Sequence, residues 1–162
     1  MPQTISLTAP HAPAVAADHS AAVRTDTVHV VFTTPRETLA AMRVAAALGH
    51  SLKVPLTLVH FRTVPYPLTV KQPAGISPVE TEAFVAALRR EGIDVRVRVC
   101  LCRDERRTRP TFFKPRSLIV VGGRRQWWRF TAERIRRQLE AAGHYVLTVA
   151  PPGRSEEGGP DA

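Results

Sequence analysis

Five stretches rich in β-branched and apolar residues recur along the chain, at 28–32, 54–61, 93–102, 118–121 and 144–150. Two of them, Val28-His-Val-Val-Phe32 and Leu118-Ile-Val-Val121, are short and nearly continuous. That pattern suits strands covered on both faces, as in a parallel sheet between layers of helices. The third stretch alternates instead. Val95, Val97, Val99 and Leu101 fall on one face, and Arg96, Arg98, Cys100 and Cys102 on the other. A strand with one polar face in an otherwise buried sheet belongs at an edge.

Helical patterns fill the gaps. Thr34 is placed to cap a helix, with Pro35 as its first residue and Glu37 as its third, which is a capping box with the favoured proline. That helix is expected to run to about Gly49, with Leu39, Met42 and Ala46 on its inner stripe. Ser77-Pro78-Val79-Glu80 repeats the capping logic, for a helix to about Glu91 with Gly92 beyond it and Phe84, Val85 and Leu88 inside. A last helix, Thr131 to Ala142, turns Ala132, Ile135, Leu139 and Ala142 inward and stops at Gly143. Pro65, Pro67 and Pro73 predict an extended loop after the second strand. Pro110 and Pro115 hold any helix between Arg103 and Arg116 to about two turns.

Strands alternating with helices imply an open, mostly parallel five-stranded α/β sheet with helices on both faces. With the third strand at an edge, the order 3-2-1-4-5 follows, and right-handed crossovers place helices above and below. The first and fourth strands then meet where the strand order reverses, and ligands in such folds bind beyond the carboxyl ends at that point. The turns concerned are Thr33 to Arg36 and Gly122 to Trp128. Gly122 and Gly123 let the backbone turn sharply there, or approach a ligand closely.

The remaining composition alters this picture little. At 162 residues the chain supports one domain whose core needs no disulfide or metal. Residues 1–27, rich in Ala, Pro, His and Thr, are expected to be a disordered tail, 28–151 the folded domain, and 152–162 a flexible tail. No apolar run approaches the ~18 residues of a membrane span. The N-terminal stretch lacks the pattern of a secretory signal. Two cysteines, Cys100 and Cys102, fit a reducing cytosol, so a cytoplasmic location is expected.

The net charge of +9 comes mostly from arginine, and sixteen basic residues lie between Arg89 and Arg137. A basic surface favours anionic partners, a small anionic ligand or nucleic acid, though no nucleic-acid-binding motif accompanies it. The chain carries no nucleophile motif, Walker lysine loop, Gly-x-Gly-x-x-Gly or His-Glu-x-x-His, and its acidic residues are scattered. It is expected not to be an enzyme. Cys102 followed by Arg103 is the nearest thing to an activated thiol, without a basic histidine beside it.

Taken together, the strand-helix order, Leu118-Ile-Val-Val-Gly-Gly123, Ala132-Glu-Arg-Ile135 and the closing Val146-Leu-Thr-Val-Ala-Pro151 resemble the universal stress protein family, from Val28 to Pro151. The resemblance implies the same sheet order, dimerisation (here through the last strand, where Val146, Thr148 and Ala150 lie) and a role in stress responses. It also implies a crevice for ATP or another adenine nucleotide in one branch of the family. That branch carries an Asp at the end of the first strand, where this chain has Thr33 or Thr34. Its phosphate loop opens Gly-x-x-Gly and closes on Gly-Ser or Gly-Thr. Gly122 matches the opening, but Arg125 replaces the second glycine, Arg129-Phe130 stands at the close, and the loop is shorter. Bulky side chains oppose the backbone cradle that glycines form around phosphate. Arg124, Arg125 and Arg129 offer forked donors in its place, Trp127 or Trp128 a stacking surface, and His60 a polar group at the rim. The expectation is a stress-type binding module with a degenerate nucleotide crevice; the alternative is a basic module that binds polyanions.

Overall fold

The computed structural model describes residues 3–7, 25–67, 79–123 and 131–152, with only the backbone of 3–7, 79 and 80. Its elements are β1 (Gln3–Leu7), β2 (Val28–Val31), α1 (Pro35–Leu52), β3 (Leu56–Thr63), α2 (Val79–Arg90), β4 (Arg96–Cys102), α3 (Glu105–Phe112), β5 (Leu118–Gly122), α4 (Thr131–Ala141) and β6 (Tyr145–Val149). One sheet holds the strands in the order β1-β4-β3-β2-β5-β6. From β4 to β6 every pair is parallel, so the five expected strands have the expected order.

Two features differ from the sequence expectation. Gln3–Leu7, inside the stretch expected to be a disordered tail, forms β1 and pairs antiparallel with β4, Ile5 opposite Val99. β4 is therefore not the edge of the sheet. Its second face is not uniformly polar either: Arg96 is exposed, but Cys100 and Cys102 are buried, at 0% and 3% exposure. Two sulfur side chains behave there as small apolar groups.

The core lies in two layers. Val28, Val30, Leu58, Val97, Val99 and Val120 point towards α1 and α2, where they meet Met42, Ala45, Phe84 and Leu88. Val31, Val59, Phe61, Ile119 and Val121 point the other way, towards Phe113 and towards Ile135 and Leu139 of α4. Parallel strands with apolar side chains on both faces demand this double cover.

Local chemistry fixes α1 as expected at its start. Thr34 accepts the Glu37 N–H at 3.3 Å, the cap bond expected, and its hydroxyl, rather than its backbone N–H, donates to the Glu37 carboxylate at 3.0 Å. The helix continues past Gly49 to Leu52 and ends at Lys53, in the left-handed conformation at φ 54°. Gly49 is not a stop signal but a contact. A Cβ there would lie 2.8 Å from Leu56 and 3.0 Å from the Val54 carbonyl. The buried stripe is accordingly Thr38, Ala41, Met42, Ala45 and Gly49, with Leu39 and Ala46 only partly covered. α3 has the two turns that Pro110 permits, capped by Asp104, whose carboxylate accepts the Arg106 N–H at 2.9 Å.

Candidate functional site

The carboxyl ends of β2 and β5 are adjacent in the sheet, with Val31 opposite Val121. Beyond them the chain at Thr33 touches the chain at Gly122: the Thr33 hydroxyl donates to the Gly122 carbonyl at 3.1 Å. The Thr33 N–H donates to the buried Thr38 hydroxyl at 3.0 Å, which ties the turn to the first turn of α1. On the other side the Gly123 N–H donates to the Val149 carbonyl at 2.9 Å, and Arg36 reaches the Pro152 carbonyl at 3.2 Å. The two turns thus form one corner, as the strand order requires.

Gly122 and Gly123 serve this corner by packing. A Cβ on Gly122 would sit 2.0 Å from the Glu37 carbonyl oxygen, and one on Gly123 would sit 2.1 Å from the Ala132 Cβ. The glycines let the sheet come up against α1 and α4 at once. Their place in the sequence suggested a turn or a ligand approach, and the close contact they make is to helices.

Thr33 is half-buried and Thr34 exposed. Thr34 is committed to its cap, whereas Thr33 presents a hydroxyl at the strand end. His60, on β3, lies on the α1–α2 side of the sheet. Its Nδ1 is 3.1 Å from the buried Thr81 hydroxyl, and its ring lies 4.4 Å from Phe32, tilted by 30°. Phe32 in turn meets Phe84 edge-on at 5.4 Å. This histidine is built into an aromatic cluster at the ends of β2 and β3. Arg124, Arg125, Trp127, Trp128 and Arg129 lie outside the described residues. Among the described residues no group of three or more His, Cys, Asp or Glu could hold a metal ion, and no helix is long and apolar enough to cross a membrane.

Among the described residues the corner is poor in acid-base chemistry. The carboxylate nearest its turns, Glu37, is bound to Thr34. Burial favours the protonated form of the β4 thiols: Cys100 is pushed up to about 11, and Cys102 is raised by the same cause. One cation of the first turn gains its contact only from the fold. Arg36 follows the proline of the capping box, and only the return of β6 beside β5 places Pro152 within its reach.

No family model matches the chain, and no curated protein matches it by sequence. Solved structures do match it. A universal stress protein from Archaeoglobus fulgidus, in complex with dAMP, superposes with a TM-score of 0.53 at 19% identity, over 78% of this chain and 98% of its own. A second structure of a universal stress protein from that organism gives 0.52 at 18%, over 76% and 92%. A universal stress protein family member from Burkholderia pseudomallei gives 0.45 at 20%, over 78% and 96%. The fold is therefore universal-stress-protein-like: five parallel strands in the order β4-β3-β2-β5-β6, helices on both faces, and β1 added at one edge.

Proposed function

We propose that this chain is a non-catalytic, universal-stress-type binding module, sensing or scaffolding in a stress response, whose ligand is an adenine nucleotide held beyond the Thr33–Gly122 corner. The observation that carries the reading is the hydrogen bond between those two residues, which joins the turns at the point where the strand order reverses. The dAMP bound to the Archaeoglobus neighbour supports the choice of ligand class. Arg125 and Arg129-Phe130 stand where a glycine cradle would need small residues. Phosphate would then meet the forked side chains of Arg124, Arg125 and Arg129 instead of backbone N–H groups.

The same residues support a non-catalytic reading. Neither threonine hydroxyl has a free base beside it: Thr33 donates to a carbonyl and Thr34 to the carboxylate that completes its cap. A homodimer through β6 accompanies this reading. The test is thermal unfolding with ATP-Mg and with dAMP, since a ligand of the folded state must raise the melting temperature. Saturable shifts with both nucleotides and no ATP turnover support the reading. No shift with either at millimolar concentration overturns the ligand.

The alternative is a basic surface for nucleic acid, part of which is paired within the chain. Arg136 bridges Glu133 and Glu140, Arg137 also holds Glu133, Arg43 holds Glu91 and Lys114 holds Asp26. These pairs occupy four of the basic residues and leave the net charge of +9 unchanged. Gel shifts that fall steeply with salt would support this alternative.

A further inference from the structure

A cleft of about 450 Å³ opens between the first turns of α3 and α4, beside the last residue of β3. That volume is in the range of small-molecule sites. Four arginines line it, Arg103, Arg106, Arg109 and Arg134, against two carboxylates, Asp104 and Glu105. Two positive charges are left over. None of Thr33, Thr34, His60, Gly122 or Gly123 lines the cleft. Among the described residues, the cleft and the Thr33–Gly122 corner share no side chain.

The carboxylates are already engaged. Asp104 caps α3 and lies 3.5 Å from Arg107. Glu105 accepts from Arg109 at 2.9 Å and from the Thr63 hydroxyl at 3.2 Å. The arginines differ in kind. Arg103 is held in place, donating to the Val64 carbonyl at 2.7 Å with its guanidinium over the Tyr66 ring at 4.0 Å. Arg106 and Arg134 are exposed, and their guanidinium groups make no hydrogen bond or ion pair with other described residues.

Arg109 is unusual. It is only 7% exposed, and besides Glu105 it donates to Gln138 of α4 at 3.1 Å. Its Nε is buried without a partner among the described residues. A buried guanidinium with an unused donor is costly, because that N–H has given up water and gained nothing. Burial also pulls its pKa down, although Glu105 opposes this. Gln138 reaches back to the Arg106 carbonyl, so α3 and α4 are tied together across the cleft. The first turn of α4 adds the partial positive charge of a helix start.

We propose that this cleft binds a small phosphate-bearing anion, free phosphate or a phosphate monoester, between the forked donors of Arg106 and Arg134, with Arg103 and Arg109 set behind them. Guanidinium forks match phosphate oxygens in geometry as well as charge. A dianion also balances the net charge of +2 on the described lining residues.

Calorimetric titration tests this in two arms, inorganic phosphate and glycerol 3-phosphate, each against sodium chloride at equal ionic strength. Saturable binding in at least one arm is expected, and the tighter arm identifies the source: free anion or ester. In the Arg106→Gln, Arg134→Gln double variant, whose changed side chains have no partners to lose, affinity should fall by at least about tenfold, given the usual strength of hydrogen bonds to charged groups. A second measurement needs no variant. Phenylglyoxal labelling of wild-type Arg106 and Arg134, read by mass spectrometry, should slow when the anion is present. No saturable binding in either arm overturns the proposal, as does binding that persists in the double variant or labelling that phosphate leaves unchanged.

Discussion

The Thr33 hydroxyl donates a hydrogen bond to the Gly122 carbonyl across 3.1 Å, which joins turns 89 residues apart in the chain. Thr33→Val keeps the shape of the side chain and removes the donor. The bond is partly buried, so the variant should lose about 1 kcal/mol of stability, measured by urea unfolding. An unchanged midpoint would mean that the turns are held together by strand pairing alone.

Gly122→Ala should be more damaging. The new Cβ would meet the backbone carbonyl of Glu37 at 2.0 Å, and no rotamer change can relieve a clash with backbone. Separating β5 from α1 should cost at least about 1–3 kcal/mol, the usual range for overpacking. Thermal melting of the variant reads this directly, and wild-type stability would show that the contact is looser than the structure has it.

Stability should also fall on mild acidification. His29 lies edge-on to Phe113 at 5.1 Å, and its Nδ1 is buried without a partner among the described residues. Burial pushes its pKa from 6.5 down to about 4, and nearby Arg98 acts in the same direction. Between those values the unfolded chain takes up a proton that the folded chain refuses. Stability is therefore full above pH 6.5 and declines as the pH falls towards 4, by up to about 3 kcal/mol from this group. Denaturant midpoints across that window should slope for the wild type and flatten in His29→Phe. Equal slopes would assign the pH dependence to other groups.

β6 is an edge strand, and it exposes Tyr145 at 37% and Leu147 at 40%. Val146 packs partly against the α4 side of the core and Val149 against the α1 side. The exposed positions left for a partner are thus Tyr145 and Leu147 together with Thr148 and Ala150, while Val146 is partly covered. Light scattering should find a dimer for the wild type and a monomer for Leu147→Arg. A monomeric wild type would exclude pairing through this edge.

Much of this architecture was legible because it rests on local rules. Apolar runs such as Val28–Val31 and Leu118–Val121 marked buried parallel strands, and Thr34-Pro35-Glu37 marked the start of α1. Topology then required the two turns to meet. What escaped notice depends on distant contacts. Gln3–Leu7 is too short to declare itself, and becomes a strand only because β4 offers an edge. Cys100 read as polar until the layer beneath Phe113 covered it. Arg109 was one of sixteen basic residues between Arg89 and Arg137, and only the packing of α3 on α4 buries it.

The most direct test of the central claim is a titration with dAMP followed by amide resonances in nuclear magnetic resonance. Progressive, saturable shifts centred on Thr33, Gly122 and Gly123, with β1 and α2 undisturbed, are the predicted result. Resonances at that corner that stay fixed while millimolar dAMP is added would contradict it.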